Sequence, residues 1–324
     1  MRIIIKKMKD LSNAFGAAVI AVVEVGHGEQ RIDNYLMREC KGVPRSHIYR
    51  ILRSGEVRVN SRRVDPTYRV QEGDRVRIPP IRVSQSAARK GPAPQLELPI
   101  LFEDAALVAV DKPAGIAVHG GSGISFGVIE RMRSARPTAK FLELVHRLDR
   151  DTSGVLLLAK KRSALTGLHA ALREGGTAKQ YLVLVRGDWE GGERRVELSL
   201  RKYVTREGER RVSVDAEGMK SVTVFRPRAR VRGATLLEAD LHTGRTHQIR
   251  VHLAHLGHPI AGDDKYGDFE WNRELAKKGM KRMFLHAAKF EFDHPLEGTR
   301  LSIRSALPDE LARGLENSEP IRHG

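Results

Sequence analysis

Five successive apolar residues at 155–159, VLLLA, directly follow a loop crowded with charge, and this junction constrains the chain more than any other stretch. An unbroken run this short fits a strand buried on both faces, with a buried helix segment as the alternative. Leu144 and Val145 supply a smaller apolar anchor on the other side. Between the anchors lies His146-Arg147-Leu148-Asp149-Arg150-Asp151-Thr152-Ser153-Gly154. Arg, Asp, Ser and Gly at this density belong at a surface or at the mouth of a site. Two carboxylates sit among three potential cations, His146, Arg147 and Arg150. Neighbouring positive charge favours the ionised acid, so at least one aspartate is expected to stay charged. A fixed carboxylate on the rim of a buried strand is what a nucleophile or general base requires. The same composition also describes a structural ion-pair loop, the ordinary reading of an Asp-rich loop met alone.

Charge sets the class of partner. The 324 residues carry 57 Lys and Arg against 40 Asp and Glu, a net charge of +17. Such an excess is the footprint of a polyanion partner, because neutralising phosphates releases condensed counterions. A hydrophobic content of 40% supports an ordinary core, and the length allows one sizeable domain plus a smaller one. A lone cysteine, Cys40, excludes an internal disulfide and reads as a small buried hydrophobe on a helix. No run reaches the roughly 20 apolar residues of a membrane span. Basic residues before the apolar stretch 14–23 imitate a secretory signal, but Glu24 interrupts it and no convincing cleavage site follows. A cytoplasmic protein is expected, with a loose leader over the first dozen residues and an edge strand at 19–25.

Residues 29–79 read as a compact unit. Ile32, Leu36 and Cys40 recur at four-residue spacing, one face of a helix. Ser46 is a candidate N-cap for a second helix through Arg53, which Gly55 ends. Strands follow at 57–60 and 75–78. Twelve Lys or Arg face seven Asp or Glu in this stretch. Arg45, Arg50, Arg53, Arg62 and Arg63 cluster around the second helix and the hairpin after it. Residues 79–99, rich in Pro, Ala and Ser without apolar period, read as a linker.

Downstream, the spacing predicts a strand at 107–110, a glycine-rich loop at 119–123 and a short helix at 126–132. That loop is no Walker cradle, because Gly-Lys-Ser/Thr does not follow it. Leu165, Leu168 and Leu172 mark a helix stopped at Gly175, and 181–185 is a strand headed by Tyr181, ordinarily a packing residue. Charged residues 190–219 read as a surface hairpin, and 220–231 and 234–241 as paired strands. Thr243 or Thr246 would cap a helix burying Ile249, Leu253 and Leu256. Five of the 13 histidines fall between His242 and His258, yet no HExxH order or third ligand at zinc spacing appears, so no metal is expected.

The loop HRLDRDTSG resembles the catalytic motif of the RluA-type pseudouridine synthases, which isomerise uridine within RNA. K-x-Y at 179–181 and TGRTHQIR at 243–250 match two further motifs of that family. In the N-terminal unit, R-I-D-x-x-L, the R-S start of the second helix, G-E-V-x-V-N and E-G-D are similar to the S4-type (alpha-L) RNA-binding domain. The resemblance covers about residues 20–316. It implies an α+β fold with a mixed, mainly antiparallel central sheet and a small N-terminal α/β RNA-binding domain. Expected boundaries are a leader and edge strand at 1–28, the RNA-binding domain at 29–79, a flexible linker at 80–98, the catalytic domain at 99–316 and a tail at 317–324.

The same resemblance assigns catalysis to Asp149, with Arg250 as its partner and Tyr181 against the uracil. Arg147 would enter the RNA beside the flipped nucleotide. His146, Arg150, Arg245 and His247 are expected to contact RNA in the cleft, and Arg45, Arg50, Arg53, Arg62 and Arg63 in the small domain. Asp149 would either attack the anomeric carbon or remove a proton from the carbon beside it. No atom is gained or lost, so neither cofactor nor metal is called for. The arrangement of HGGSG, FGVIE and HRLDRDTSG resembles the members of that family that act on the ribosomal large subunit, which implies 23S ribosomal RNA as partner; a monomer is expected. A non-catalytic ribosome assembly factor and a synthase acting on transfer RNA are the alternatives.

Overall fold

Alternation and apolar runs become strands, four-residue spacing becomes helices, and the computed structural model divides the chain into two compact units, residues 1–92 and 93–324. It describes residues 4–5, 18–24, 26–40, 43, 45–81, 93–94, 96–120, 126–206, 208–231 and 233–316. The expected linker falls mostly outside these residues, as do the tail 317–324 and most of the glycine-rich loop.

The first unit carries β1 (Ile4–Ile5), β2 (Val19–Val22), α1 (Ile32–Glu39), α2 (Arg45–Arg53), β3 (Arg58–Val59) and β4 (Arg75–Ile78). Its sheet runs β1-β2-β4-β3. The expectation of an edge strand at 19–25 is therefore corrected, because β1 pairs with β2 in parallel and the strand has neighbours on both sides. Two residues of the expected loose leader supply that pairing. Ser46 is not an N-cap either, since α2 begins one residue earlier. Ile32, Leu36, Ile48, Ile51 and Leu52 bury the facing sides of the two helices against Val57, Val59 and Val76. Cys40 is buried at the end of α1, where burial pushes its thiol up to about 12. Gly55 closes α2 at φ 71°, and a Cβ there would meet the Arg63 guanidinium.

The second unit contains β5 (Ile100–Glu103), β6 (Leu107–Lys112), α3 (Val128–Ala135), β7 (Glu143–Leu144), β8 (Ser153–Ala159), α4 (Arg162–Glu174) and β9 (Thr177–Arg186). These are followed by β10 (Arg194–Val204), β11 (Arg210–Val214), β12 (Met219–Val231), β13 (Ala234–Leu241), α5 (Gln248–His255), α6 (Phe269–Lys277), β14 (Leu285–Asp293), β15 (Arg300–Arg304) and α7 (Asp309–Glu316). One sheet of 11 strands takes them in the order β11-β10-β12-β13-β9-β14-β8-β6-β5, with β15 beside β14 and β7 beside β8. All its described pairings are antiparallel except β14 with β8. The expected α+β class with a mixed, mainly antiparallel sheet therefore holds.

β8 is buried along its whole length, as an unbroken apolar run requires. Its alternate residues feed two layers, Leu156 and Leu158 on one face and Val155 and Leu157 on the other. Helix α3 begins two residues later than expected, because Glu130 turns back to accept from the Gly127 N–H and so fixes the first turn at 127. The parallel contact of β14 and β8 places Ala287 opposite Gly154, then Tyr181 opposite Ala287, then Ala239 opposite Tyr181. That row joins the end of the charged loop to the middle of the sheet. No helix among the described residues is long and apolar enough to cross a membrane.

Gly154 makes the row possible. Its φ is 109°, and a Cβ there would sit 2.2 Å from the Ala287 carbonyl oxygen. Backbone strain of this kind costs on the order of 1–3 kcal/mol, and the clash with a neighbouring strand adds to it. Gly154→Ala is expected to lower the melting temperature of the full chain clearly in a calorimetric scan; an unchanged melt would contradict the row.

Candidate active site

A cleft of about 1360 Å³ opens over residues 146–150 of the charged loop, the start of β9, the hairpin β10–β11 and the 244–250 turn. Among the described residues, ten Lys or Arg and a single acid, Asp149, line it. Such a wall suits an anionic ligand and concentrates attention on the one carboxylate.

Asp149 is a quarter exposed, and its Oδ2 accepts from Arg250 Nη1 at 3.2 Å. The two residues stand 101 positions apart in the chain. Arg250 is itself buried and grips Asp263 with two parallel bonds, Nε to Oδ2 and Nη2 to Oδ1, each 2.7 Å. Burial works against the guanidinium charge, but Asp263 and Asp149 outweigh it and hold its pKa above the ordinary value. The face of the guanidinium lies over the Tyr266 ring, 5.1 Å from its centroid. Burial likewise opposes ionisation of Asp263, yet Arg250 and the Lys265 and Tyr266 backbone N–H groups bring its pKa below the usual range.

His247 completes this corner. The Tyr266 hydroxyl accepts from the Val212 N–H at 2.9 Å and shares a hydrogen bond of 2.8 Å with His247 Nδ1. His247 Nε2 faces Asp149 Oδ2 at 4.0 Å. Burial lowers the pKa of this histidine, with Asp149 acting in the opposite sense. His247 adopts φ 53° and precedes α5 without any side-chain cap. The threonine caps expected at 243 or 246 are corrected. Thr243 instead accepts from the Val222 N–H and donates to Gln248 Oε1, while Gln248 Nε2 donates to the Val222 carbonyl. Gln248 thus clamps the turn that presents His247 and Arg250.

Tyr181 is buried in the cleft wall, where burial first and Asp149 second raise its pKa. Lys179 lies on the same strand, and burial pushes it down to about 8. The charged loop is held from behind. Lys112 Nζ donates to the carbonyls of Pro113, Ile116 and Arg150 at 2.8, 2.9 and 3.0 Å. Ser153 Oγ accepts from Arg282 Nη2 and donates to His286 Nδ1.

Of the residues expected to contact RNA, Arg147 and Arg245 are exposed at the cleft. Arg150 is exposed too but paired with Asp151. The reading of His146 as a cation is corrected: burial pushes it down to about 3, its Nε2 accepts from the Leu157 N–H at 3.1 Å, and its ring packs edge-on against Phe290. In the small unit Arg50 pairs with Glu56, Arg53 bonds the Tyr49 carbonyl, Arg63 bonds the Ser54 carbonyl and Arg62 is exposed. The side chain of Arg45 lies outside the described residues. The clustered histidines do not converge: His252 bonds Ser221 Oγ and His258 bonds the Arg186 carbonyl. Elsewhere Asp104, His294 and Glu297 lie close together, but His294 Nδ1 already accepts the Glu297 N–H and Nε2 faces Asp104 at 3.0 Å.

Two participants escaped the sequence reading. Asp263 carries no local signal, because its bond to Arg250 depends on a tertiary turn that no spacing announces. The hairpin β10–β11 brings Lys202, Tyr203, Arg210 and Arg211 to the cleft, although its sequence reads as a plain surface excursion.

Residues 106–255 match the RNA pseudouridylate synthase family and residues 30–76 match the S4 domain. The chain belongs to the RNA pseudouridylate synthase family. It is 51% identical over 317 residues to the ribosomal large subunit pseudouridine synthase C of Salmonella typhi, covering 95% of this chain and 98% of that protein. The proteins of the same name from Pasteurella multocida (strain Pm70) and Escherichia coli (strain K12) are also 51% identical, covering 95% and 94% of this chain and 95% and 97% of theirs. In three dimensions the fold resembles human RNA pseudouridylate synthase domain containing 1, with a TM-score of 0.55 at 21% identity over 70% of this chain and 97% of that one.

Removing one partner of a buried ion pair costs about 3–5 kcal/mol. Asp263→Ala is expected to lose about that much in urea melts at neutral pH. Because the folded pKa of Asp263 lies below the unfolded value of about 3.9, the stability it contributes is complete above that value. It is lost as the pH falls through the folded pKa. The deficit of the variant should therefore narrow in melts run progressively below about pH 4; a constant deficit would count against an ionised Asp263.

Proposed function

We propose that this protein isomerises uridines of large-subunit (23S) ribosomal RNA to pseudouridine. The observation that carries the proposal is Asp149, the lone acid lining a basic cleft, braced by Arg250 at 3.2 Å. The relatives named for the ribosomal large subunit, matched over nearly their full length, support the choice of RNA. A pure binding factor has no use for a buried arginine spent on holding one carboxylate at a cleft floor.

A uridine in a stack hides its glycosidic bond, so the nucleotide must turn out of the RNA before reaction. Arg147, exposed beside Asp149, fills the space left behind. Asp149 then acts at the ribose, either attacking the anomeric carbon or taking a proton from its neighbour. Positive charge grows at the sugar on both routes, and a fixed carboxylate stabilises it. Arg250 aims that carboxylate, and the His247 imidazole supplies a second, weaker restraint. Tyr181 lies against the detached base and keeps it from leaving while it turns. The S4 unit adds affinity through Arg53, Arg62 and Arg63, whose contacts position the RNA and carry little sequence information.

Label release from 23S rRNA tritiated at uridine carbon 5 tests the reaction. Asp149→Asn should reduce release by on the order of 10³-fold or more while filter binding of the same RNA persists. Release at the wild-type rate would sink the assignment, and no release by the wild-type protein would favour the binding factor. Replacing Arg53, Arg62 and Arg63 together with Gln should weaken RNA binding and flatten its dependence on salt. An unchanged slope of log affinity against log salt would remove the small unit from the RNA contact.

A further inference from the structure

Of the ten Lys or Arg among the described residues that line the cleft, four are ion-paired and five more, Arg147, Arg173, Lys202, Arg210 and Arg245, are exposed. Arg250, Arg150, Arg211 and Lys265 each sit within ion-pair distance of a carboxylate. Lys179 differs. Among the described residues its ammonium makes neither an ion pair nor a hydrogen bond, and desolvation alone accounts for its depressed basicity. Its Nζ lies against the turn that carries His247, since a Cβ placed on Gly244 would be 3.6 Å from it. Retaining an unpaired, desolvated ammonium costs stability, and such groups concentrate where chemistry needs them.

Position narrows the task. Lys179 and Tyr181 are two residues apart on β9, so their side chains leave the same face of the strand, and both line the cleft. Their origins are about 7 Å apart along the strand, a distance that one pyrimidine ring with a hydrogen bond on its edge spans. The exposed Arg147 and Arg245 stand where backbone phosphates arrive, whereas Lys179 is set into the wall beside the tyrosine.

We propose that Lys179 is a catalytic residue that receives the negative charge the uracil acquires when it separates from the ribose. The inference rests on the reading of the cleft as a uridine isomerase and deepens it. When the bond between ribose carbon 1 and N1 breaks, its electron pair leaves with N1 and spreads over O2 and O4. The base is then an anion, and the matching positive charge is on the sugar, neutralised by a bond to Asp149, or carried as the proton Asp149 takes from the neighbouring carbon and returns when the base is rejoined. An ammonium within reach of O2 or O4 stabilises that anion where water cannot. When carbon 5 bonds to ribose carbon 1, the carbon 5 proton is released and N1 takes one up. The product is an isomer and Lys179 is left as it began.

The experiment compares the full-length wild type with Lys179→Met and Lys179→Arg on 23S rRNA under single-turnover conditions, with RNA binding measured separately. Methionine removes an unpaired desolvated charge, so the variant should melt no lower than wild type. Lys179→Met is expected to slow the bound RNA's reaction by on the order of 10²-fold with affinity unchanged, and Lys179→Arg to restore most of the rate. In RNA carrying 5-fluorouridine the fluorine already stabilises the departing base, so base detachment, followed by mass spectrometry, should suffer less from Lys179→Met. A loss confined to affinity would instead make Lys179 a phosphate contact and overturn the proposal. An unimpaired Lys179→Met rate, or an equal loss with the fluorinated RNA, would overturn it as well. An inactive wild type would speak against the isomerase reading itself, so the two failures are separable.

Discussion

The bidentate bond between Arg250 and Asp263 is the interaction on which the site depends. A buried guanidinium needs its charge and its five donors satisfied, and Asp263 takes two of them with matched geometry. With that side of the fork occupied, Nη1 is the donor left to face the cleft, and it meets Asp149. The Tyr266 ring beneath the guanidinium prevents it from tilting away. A lysine could supply the charge but not this division of labour, because its ammonium has no rigid fork.

The rest of the fold delivers the two partners to this point. β8 begins at the end of the charged loop, and its parallel contact with β14 sets Gly154 in a row with Tyr181. Helix α5 follows β13 through a turn clamped by Gln248, and its first turn carries Arg250. The carboxylate, just before β8, and the guanidinium, shortly after β13, therefore meet across the two strands, β9 and β14, that lie between them in the sheet. The hairpin β10–β11 extends the wall with positive charge, and Tyr266 ties it to the site through Val212.

Much of this was legible from residues alone. The buried β8, the helix at Leu165, Leu168 and Leu172 and the paired strands β12 and β13 follow from period and composition, whereas the importance of the loop around Asp149 came from its resemblance to a family motif. What resisted were features set by tertiary contact. The strand at 19–22 gained a second neighbour from a two-residue segment too short to show a period. His146 looks like a cation in a list of residues, yet its ring is a packed acceptor because the strand returns beside it. Thr243 carries the composition of a cap but spends its hydroxyl on β12 and Gln248. Asp263 and Lys179 give no local signal of their surroundings, since only the folded sheet reveals which charges have partners.

The three carbonyls around Lys112 have a mechanical consequence. Each of its ammonium protons is committed to backbone, one of them to the residue just after Asp149, and the side chain is wholly enclosed. A platform bolted in this way cannot advance toward a base still in its stack. Under the proposed reaction the nucleic acid makes the journey, and the work of eversion falls on its own pairing and stacking. Selection among chemically identical uridines can then begin in the RNA, as a preference for those whose local structure yields with the least effort.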